Sequence, residues 1–314
     1  MDWRGNDLDW HRPLRPPSNG ERMYSHVELE IASQPECWRQ AVAVAHEVEA
    51  RLPQRGQRAA IIGCGTSLFM AQAYASLREH AGLGETDAFP ASEFPDSRRY
   101  DRVVALSRSG TTTEVLDALK RVRYGSKVAI TASPTSPIIG AVDDVIVLDF
   151  ADESSIVQTR FATSALALLR THVGQDLMPV ISAAGDALGT PLGEGITDAD
   201  QFTFLGRGWT IGIALEAGLK LREAAGAWAE AYPAMEYRHG PISVARPNRI
   251  VWVFGPCSPG LAADVRRTGA TLVTSSEDAQ AELVRAQRLA VVLAKSAGLD
   301  PDRPRHLTRS VILG

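Results

Sequence analysis

Short apolar runs alternate with longer stretches of helical spacing along most of the chain. Continuous apolar runs at residues 61–62, 103–106 and 145–148 are typical of strands that are buried on both faces of a parallel sheet. A helical segment is predicted before the first run, over residues 24–52, and an Ala-rich helix over residues 278–297. This alternation predicts a doubly wound α/β fold, in which helices flank parallel sheets.

The pattern occurs twice. An offset of 143 residues separates three pairs of matching positions: Gly63 and Gly206, Glu93 and Glu236, Thr131 and Thr274. Each copy is predicted as a strand, a Gly-x-Gly turn, a long helix, an Ala-x-Glu-aromatic segment, a second strand (103–107; 250–254), a helix and a third strand (127–131; 270–274). The boundary between the copies is predicted near residues 175–195, where four residues interrupt the helical pattern: Gly185, Gly189, Pro191 and Gly193.

Composition narrows the class of protein. A chain of 314 residues with 45% apolar and 22% charged residues fits two globular domains. The net charge of -4, without a basic patch, argues against nucleic acid as a partner. The chain has no apolar run of about 20 residues, and its polar start does not look like a signal peptide, so a cytoplasmic protein without a membrane partner is expected.

Cysteine and histidine spacing argues against a metal site. The three cysteines, Cys37, Cys64 and Cys257, are widely spaced and odd in number, as expected of reduced thiols. The seven histidines form no metal-binding motif. We therefore predict neither a metal nor another cofactor.

In the first copy, two hydroxyl-rich turns follow predicted strands. The second strand leads through Ser107, Arg108, Ser109 and Thr112 into a helix, and Gly110 permits close approach of the backbone. Free amides at a helix N-terminus attract anions, so this turn predicts a phosphate site. The turn at residues 63–67 lies at the usual ligand position of an open α/β sheet. Alternatively, either turn is only a helix cap, or the Gly-x-Gly sequences are weak dinucleotide fingerprints.

The second copy carries different chemistry. Its counterpart of the phosphate turn, residues 255–260, contains two prolines that lack amide donors, so one phosphate pocket per chain is predicted. Its first helix presents Glu216, Lys220 and Glu223 on one face, and His239 follows in a stiff loop. The alternatives are a structural ion pair for the helix residues and a loop-capping role for the histidine.

With these motifs, the chain resembles the sugar isomerase (SIS) family, in particular the isomerase half of glutamine:fructose-6-phosphate amidotransferase and stand-alone amino-sugar-phosphate deaminases. The resemblance covers nearly the whole chain and rests on these stretches: 64–67, 107–110, 204–208, 214–216, 219–223, 229–233, 238–241 and 300–307. It implies two tandem SIS domains, residues 24–180 with the phosphate-binding loops and 181–314 with the catalytic Glu and His and a C-terminal tail, each a flavodoxin-like or Rossmann-like parallel sheet flanked by helices.

The resemblance also implies residue roles. Glu223 shuttles a proton between C1 and C2 of the sugar, and His239, reaching across a homodimer, helps to open the ring. Lys220 and Arg309 complete the predicted catalytic set. The predicted substrate and phosphate ligands are Cys64, Gly65, Thr66, Ser67, Ser107, Arg108, Ser109, Thr112, Ile156, Gln158 and Glu216.

Several positions depart from the family pattern. Arg309 stands where the family has a lysine, and a guanidinium cannot form an imine. Other departures are Arg108, Thr111, Gln158 and Arg160, which leave the substrate open. The start of the chain, Met1-Asp-Trp-Arg, lacks the catalytic cysteine of a glutaminase, so glutamine-dependent synthesis is not expected.

Three functions fit this sequence. The first is an aldose–ketose isomerase or deaminase of a hexose or hexosamine 6-phosphate, for example from glucosamine 6-phosphate to fructose 6-phosphate and ammonia. The second is a deglycase of phosphorylated fructosamines, and the third is a non-catalytic sugar-phosphate sensor.

Overall fold

Residues 24–313 are described in the computed structural model of this protein. The start of the chain, on which the expectations about a signal peptide and a glutaminase depend, lies outside these residues. None of the described helices is long and apolar enough to cross a bilayer.

Two parallel sheets form the framework, as the alternating pattern predicts. The first has the strand order β2-β1-β3-β4-β5 and the second the order β7-β6-β8-β9. The strands are β1 (Ala59–Gly63), β2 (Thr86–Pro90), β3 (Arg102–Leu106), β4 (Ser126–Thr131), β5 (Asp144–Val147), β6 (Gln201–Gly206), β7 (Ala229–Pro233), β8 (Arg249–Val253) and β9 (Thr271–Thr274). The order of the first four strands of the first sheet, β2-β1-β3-β4, thus matches the order β7-β6-β8-β9 of the second sheet.

Helices flank both sheets. They are α1 (His26–Ala32), α2 (Gln34–Val48), α3 (Thr66–His80), α4 (Thr113–Arg121), α5 (Arg160–His172), α6 (Met178–Gly189), α7 (Thr210–Ala225), α8 (Leu261–Arg267) and α9 (Ala279–Ser296). The predicted segment 24–52 is therefore two helices and a short 3₁₀ turn. The Ala-rich helix is confirmed, and it begins after Asp278, whose carboxylate accepts from the Gln280 amide.

Two details differ from the sequence prediction. The edge strands β2 and β7 were not predicted, because edge strands carry weaker apolar signals than the buried strands beside them. Gly185 does not interrupt the helical pattern, since α6 runs through it to Gly189. A helix tolerates a single glycine at a modest cost in propensity.

The largest apolar core lies between the two sheets and includes residues of α2, α3, α5, α7 and α9. Two smaller cores cover the outer faces, one under α4 and one under α8. Helices α3 and α7 approach closely at Gly212, where a Cβ would lie 2.3 Å from the Phe69 carbonyl oxygen. This close approach brings the start of α3 beside the middle of α7, and the two copies meet there.

Gly63 and Gly206 occupy equivalent positions at the ends of β1 and β6. A Cβ on Gly63 would lie 2.9 Å from the Ser67 carbonyl carbon, and one on Gly206 would lie 2.2 Å from the Thr210 carbonyl oxygen. Each glycine therefore lets the following helix pack directly against the end of its strand.

Candidate active site

The two hydroxyl-rich turns of the first copy meet at the C-terminal edge of the first sheet. A small cavity of about 30 Å³ lies between them. Its lining contains Cys64, Ser67, Leu106, Ser107, Arg108, Ser109, Thr112, Val115, Gln158 and Arg309. Seven predicted ligands and the predicted catalytic Arg309 are thus brought together. The lining is mostly polar, as an oxyanion site requires.

Local geometry fixes the turn between β3 and α4. Gly110 has a φ of +62°, and a Cβ there would lie 2.1 Å from Ser136 Oγ, so only glycine fits. The Gly110 amide donates to Ser107 Oγ at 3.2 Å, and the Thr111 amide donates to Ser109 Oγ at 3.2 Å. These bonds curl the turn around the N-terminal end of α4, whose positive dipole end favours an anion.

The side chains of Gln158 and Cys64 complete one wall of the cavity. Burial raises the pKa of the Cys64 thiol, and the nearby Glu114 charge acts in the same direction. This thiol is therefore protonated at neutral pH and adds no negative charge that would repel a phosphate. Ile156 is half-buried in the same connecting segment, but it does not line the cavity.

A cluster of carboxylates and one lysine lies on α7. Glu216 and Lys220 are fully buried, and the Glu223 side chain is 19% exposed. Lys220 Nζ lies 3.4 Å from Glu216 Oε1 and donates to Glu223 Oε2 at 2.5 Å. The predicted sharing of one helix face is confirmed, and the lysine stands between two acids.

Burial dominates the protonation of this cluster. It raises the pKa of Glu216 to about 8, although the Lys220 ammonium opposes the change. Burial also acts to lower the pKa of Lys220, but Glu216 and Glu223 outweigh it and raise that pKa overall. Lys220 therefore stays charged beside Glu223, and burial favours the protonated form of Glu216.

One hydrogen bond joins the acid cluster to the phosphate turns. Lys220 Nζ donates to Thr66 Oγ1 at 3.0 Å, and Thr66 directly precedes Ser67 of the cavity lining. Thr66 is 4% exposed, so this contact is screened from water. Groups from the two copies thus meet at one place.

Neither His239 nor Arg309 joins the cluster on α7. His239 is exposed on a 3₁₀ turn, and its side chain makes no hydrogen bond or ion pair within residues 24–313. The Arg309 guanidinium is directed to Asp152, 2.6 Å from Oδ1, and to the Glu153 carbonyl oxygen. Among the described residues, neither side chain contacts the cluster on α7.

Sequence reasoning did not identify two residues at this site. Glu153 is fully buried and pairs with Arg108 at 3.5 Å. Ser310, in the C-terminal segment, contacts the hydroxyls of the phosphate turn. Contacts between residues more than 40 positions apart leave no spacing signal in a single sequence. No cluster of acids, histidines and cysteines with the geometry of a metal site occurs in residues 24–313.

Comparison with known proteins agrees with this geometry. Residues 53–170 match the SIS domain model. The chain is 27% identical over 297 residues to an isomerizing glutamine–fructose-6-phosphate aminotransferase from Sulfurisphaera tokodaii, which covers 82% of this chain and 50% of the relative. A similar match of 27% identity to the enzyme of that name from Pectobacterium atrosepticum covers 96% and 57%. The chain thus spans about half the length of the curated relatives it matches.

Solved structures share the fold. Glucosamine-6-phosphate deaminase from Thermotoga maritima superposes with a TM-score of 0.77 at 26% identity, covering 92% of this chain and all of that one. Tagatose-6-phosphate ketose/aldose isomerase from Escherichia coli gives a TM-score of 0.76 at 21% identity, with coverages of 92% and 96%. The matched model, the relatives and the architecture agree that residues 53–170 form an SIS (sugar isomerase) domain.

Proposed function

We propose that this protein is a sugar-phosphate aldose–ketose isomerase with deaminase activity, acting on a hexosamine or hexose 6-phosphate. The Lys220–Thr66 hydrogen bond carries this proposal, because it connects an acid–base cluster to a pocket suited to phosphate. The two structural relatives named above are a deaminase and an isomerase of sugar 6-phosphates, which supports the same substrate class.

The phosphate end of the substrate fits the turn between β3 and α4. Hydroxyls of Ser67, Ser107, Ser109 and Thr112 surround the cavity. The positive charge of Arg108 is already paired with Glu153, so hydroxyls and amides supply most of the binding. Such a neutral, preorganised site orients the sugar carbons toward α7.

Glu223 is the proposed base. Its carboxylate takes a proton from C2 of the open-chain aldose and returns it to C1, while the proton of the C2 hydroxyl moves to O1, which converts the aldose through an enediol to the ketose. The Lys220 ammonium keeps Glu223 oriented and stabilises its charge. With a 2-amino sugar the same transfer gives a C2 imine, which water hydrolyses to the ketose and ammonia.

Arg309 stands where the family has a lysine. This difference favours deamination and isomerisation over amino transfer through a lysine imine. A guanidinium stays protonated and is a poor nucleophile. Because the chain covers about half the length of its curated relatives, their glutamine-dependent activity is not transferred to it.

We further propose that the second sheet is a second SIS domain and that residues 24–180 and 181–314 form the two domains. The matching strand orders of the two sheets support this division. The exposed position of His239 supports a homodimer in which this residue serves the partner's site. Mixing Glu223→Gln with His239→Ala subunits should then restore about a quarter of wild-type activity, since half of the dimers regain one complete site. Recovery of no activity would place His239 outside the site or in its own subunit's site.

A substrate panel tests the main proposal. Hexose, hexosamine and fructosamine 6-phosphates are incubated with purified protein, and ketose, ammonia and amine are assayed separately. Glu223→Gln should lower turnover at least about 100-fold, the usual contribution of a general base. Glu47→Gln is the matched control, because Glu47 is exposed on α2 and its side chain makes no hydrogen bond or ion pair within the described residues.

Three outcomes would contradict the proposal. Full turnover by Glu223→Gln would show that the base is wrong. Turnover confined to fructosamine phosphates would establish the deglycase. No turnover of any compound, together with thermal stabilisation by one of them, would establish a sensor.

A further inference from the structure

The C-terminal segment, residues 307–313 (here called the tail), lies across the phosphate turn. Its far end is bonded to the start of α4: the Thr113 amide donates to the Val311 carbonyl oxygen at 3.2 Å, and the Leu313 amide donates to Thr113 Oγ1 at 3.0 Å. The tail therefore ends on the helix whose N-terminus forms the phosphate site.

Arg108 binds the middle of the tail. It is 2% exposed, and its Nη2 donates to the Arg309 carbonyl oxygen at 2.9 Å. Its Nη1 donates to the Ser155 carbonyl oxygen at 3.0 Å and lies 3.5 Å from a carboxylate oxygen of Glu153. Nη1 thus has two partners and Nη2 has one, all of them protein groups, although Arg108 also lines the cavity.

Arg309 binds back to the same segment. Its guanidinium pairs with Asp152 at 2.6 Å and donates to the Glu153 carbonyl oxygen. Arg108 thus binds the backbone of the tail at Arg309. The Arg309 side chain in turn binds Asp152 and Glu153, close to Ser155, whose carbonyl oxygen accepts from Arg108. The two arginines together fix the register of the tail.

This register places the Ser310 hydroxyl among the hydroxyls of the phosphate turn. Ser310 Oγ lies 3.2 Å from Ser109 Oγ, 2.9 Å from Thr111 Oγ1 and 3.4 Å from Thr112 Oγ1. Ser109 and Thr112 line the cavity, whereas Ser310 does not. Ser310 therefore contacts two cavity hydroxyls from outside the cavity and restricts their rotation.

We propose that Arg108 is a positioning residue that acts on phosphate binding through the tail, by fixing Arg309 and so placing Ser310 against Ser109 and Thr112. This inference rests on the proposed phosphate site. It replaces the expectation that Arg108 is itself a phosphate ligand. The neutralised charge of Arg108 and its bonds to two carbonyl oxygens favour the indirect role.

Hydrogen exchange of the ligand-free, full-length protein tests whether Arg108 holds the tail on the phosphate turn. Arg108→Gln should raise the exchange rates of the Thr113 and Leu313 amides about tenfold, because the tail loses its central contact. Arg305→Ala is the matched control, since Arg305 is an exposed arginine of the same C-terminal region whose side chain makes no hydrogen bond or ion pair within residues 24–313. If Arg108→Gln does not fold, Arg108→Lys, which retains the charge beside Glu153, gives the answer. Unchanged exchange in a folded Arg108 variant would overturn the proposal.

A double-mutant cycle with inorganic phosphate tests the indirect role. Arg108→Lys and Ser310→Ala should each weaken phosphate binding roughly three- to tenfold, and the double variant should bind no more weakly than the weaker single variant. In turnover assays each should raise KM more than it lowers kcat. Additive effects would show that Arg108 acts independently of Ser310, and they would refute the indirect role.

The two experiments separate this inference from the proposed function. Absence of phosphate binding by the wild-type protein would refute the phosphate site, and with it the effect assigned to Arg108 on binding. The hydrogen-exchange comparison would still decide whether Arg108 holds the tail in place.

Discussion

Lys220 and Thr66 are 154 positions apart in sequence, yet Lys220 Nζ donates to Thr66 Oγ1 at 3.0 Å in a buried contact. The bond links α7 of the second copy to the first turn of α3 in the first copy. Because Lys220 also binds Glu223, the orientation of the proposed base depends on a residue of the phosphate side.

Removal of the Thr66 hydroxyl should therefore impair catalysis more than folding. Thr66→Val leaves one Lys220 proton without its acceptor and should cost about 1–2 kcal/mol of unfolding free energy. We expect kcat to fall about tenfold as Glu223 loses its fixed orientation. Thr171→Val is the control, because its hydroxyl donates to the Ala167 carbonyl oxygen within α5. Equal losses of kcat in both variants would argue against a specific role for Thr66.

The buried carboxyl of Glu216 predicts a pH-dependent stability. Its pKa is raised from a usual value of 4.5 to about 8, chiefly by burial. A raised folded-state pKa stabilises the protein fully below the unfolded-state pKa, and this stabilisation is lost as the pH rises through 8. Relative to Glu216→Gln, the wild type should therefore lose unfolding free energy between pH 4.5 and 8. Urea unfolding at several pH values measures the difference, and parallel pH profiles of the two proteins would contradict it.

Gly110 is predicted to be irreplaceable in the phosphate turn. Gly110→Ala places a Cβ against Ser136 and Ile138 in a left-handed backbone conformation. It should destabilise the protein by roughly 2 kcal/mol or more and abolish measurable phosphate binding. Gly140→Ala is the control, because a Cβ there meets no atom within 4 Å. Chemical denaturation and phosphate titration of both variants check this prediction. Wild-type stability and wild-type phosphate binding of Gly110→Ala would refute it.

Asp302 is predicted to stabilise the start of α1. Its carboxylate accepts from the His26 and Val27 amides, each at 2.8 Å, so it caps a helix from the other end of the chain. Asp302→Ala should cost about 1–2 kcal/mol, and Asp302→Asn should cost less because one acceptor is retained. Arg303→Ala, an exposed neighbour, should change the unfolding free energy by no more than about 0.5 kcal/mol. Similar melting temperatures of Asp302→Ala and the control would disprove the cap.

The sequence by itself determined the α/β fold class, with parallel sheets flanked by helices. Apolar runs such as Val103–Leu106 specify buried parallel strands, because both faces of such a strand must be covered. Glycines at 63 and 206 mark the strand-to-helix turns, since a Cβ at either position would strike the backbone. The spacing of Glu216, Lys220 and Glu223 specifies a common helix face, because residues three or four positions apart lie on the same side of a helix.

Only the tertiary structure decided how these parts meet. The approach of α3 to α7 at Gly212 joins Thr66 to Lys220, and the path of the tail brings Ser310 to Ser109. The tertiary structure also buries Arg108 against Glu153 and directs the Arg309 side chain to Asp152. Such pairings depend on packing between residues far apart in the chain. Local periodicity and propensity act over a few residues, and they carry no information about which distant side chains the packed core will bring into contact.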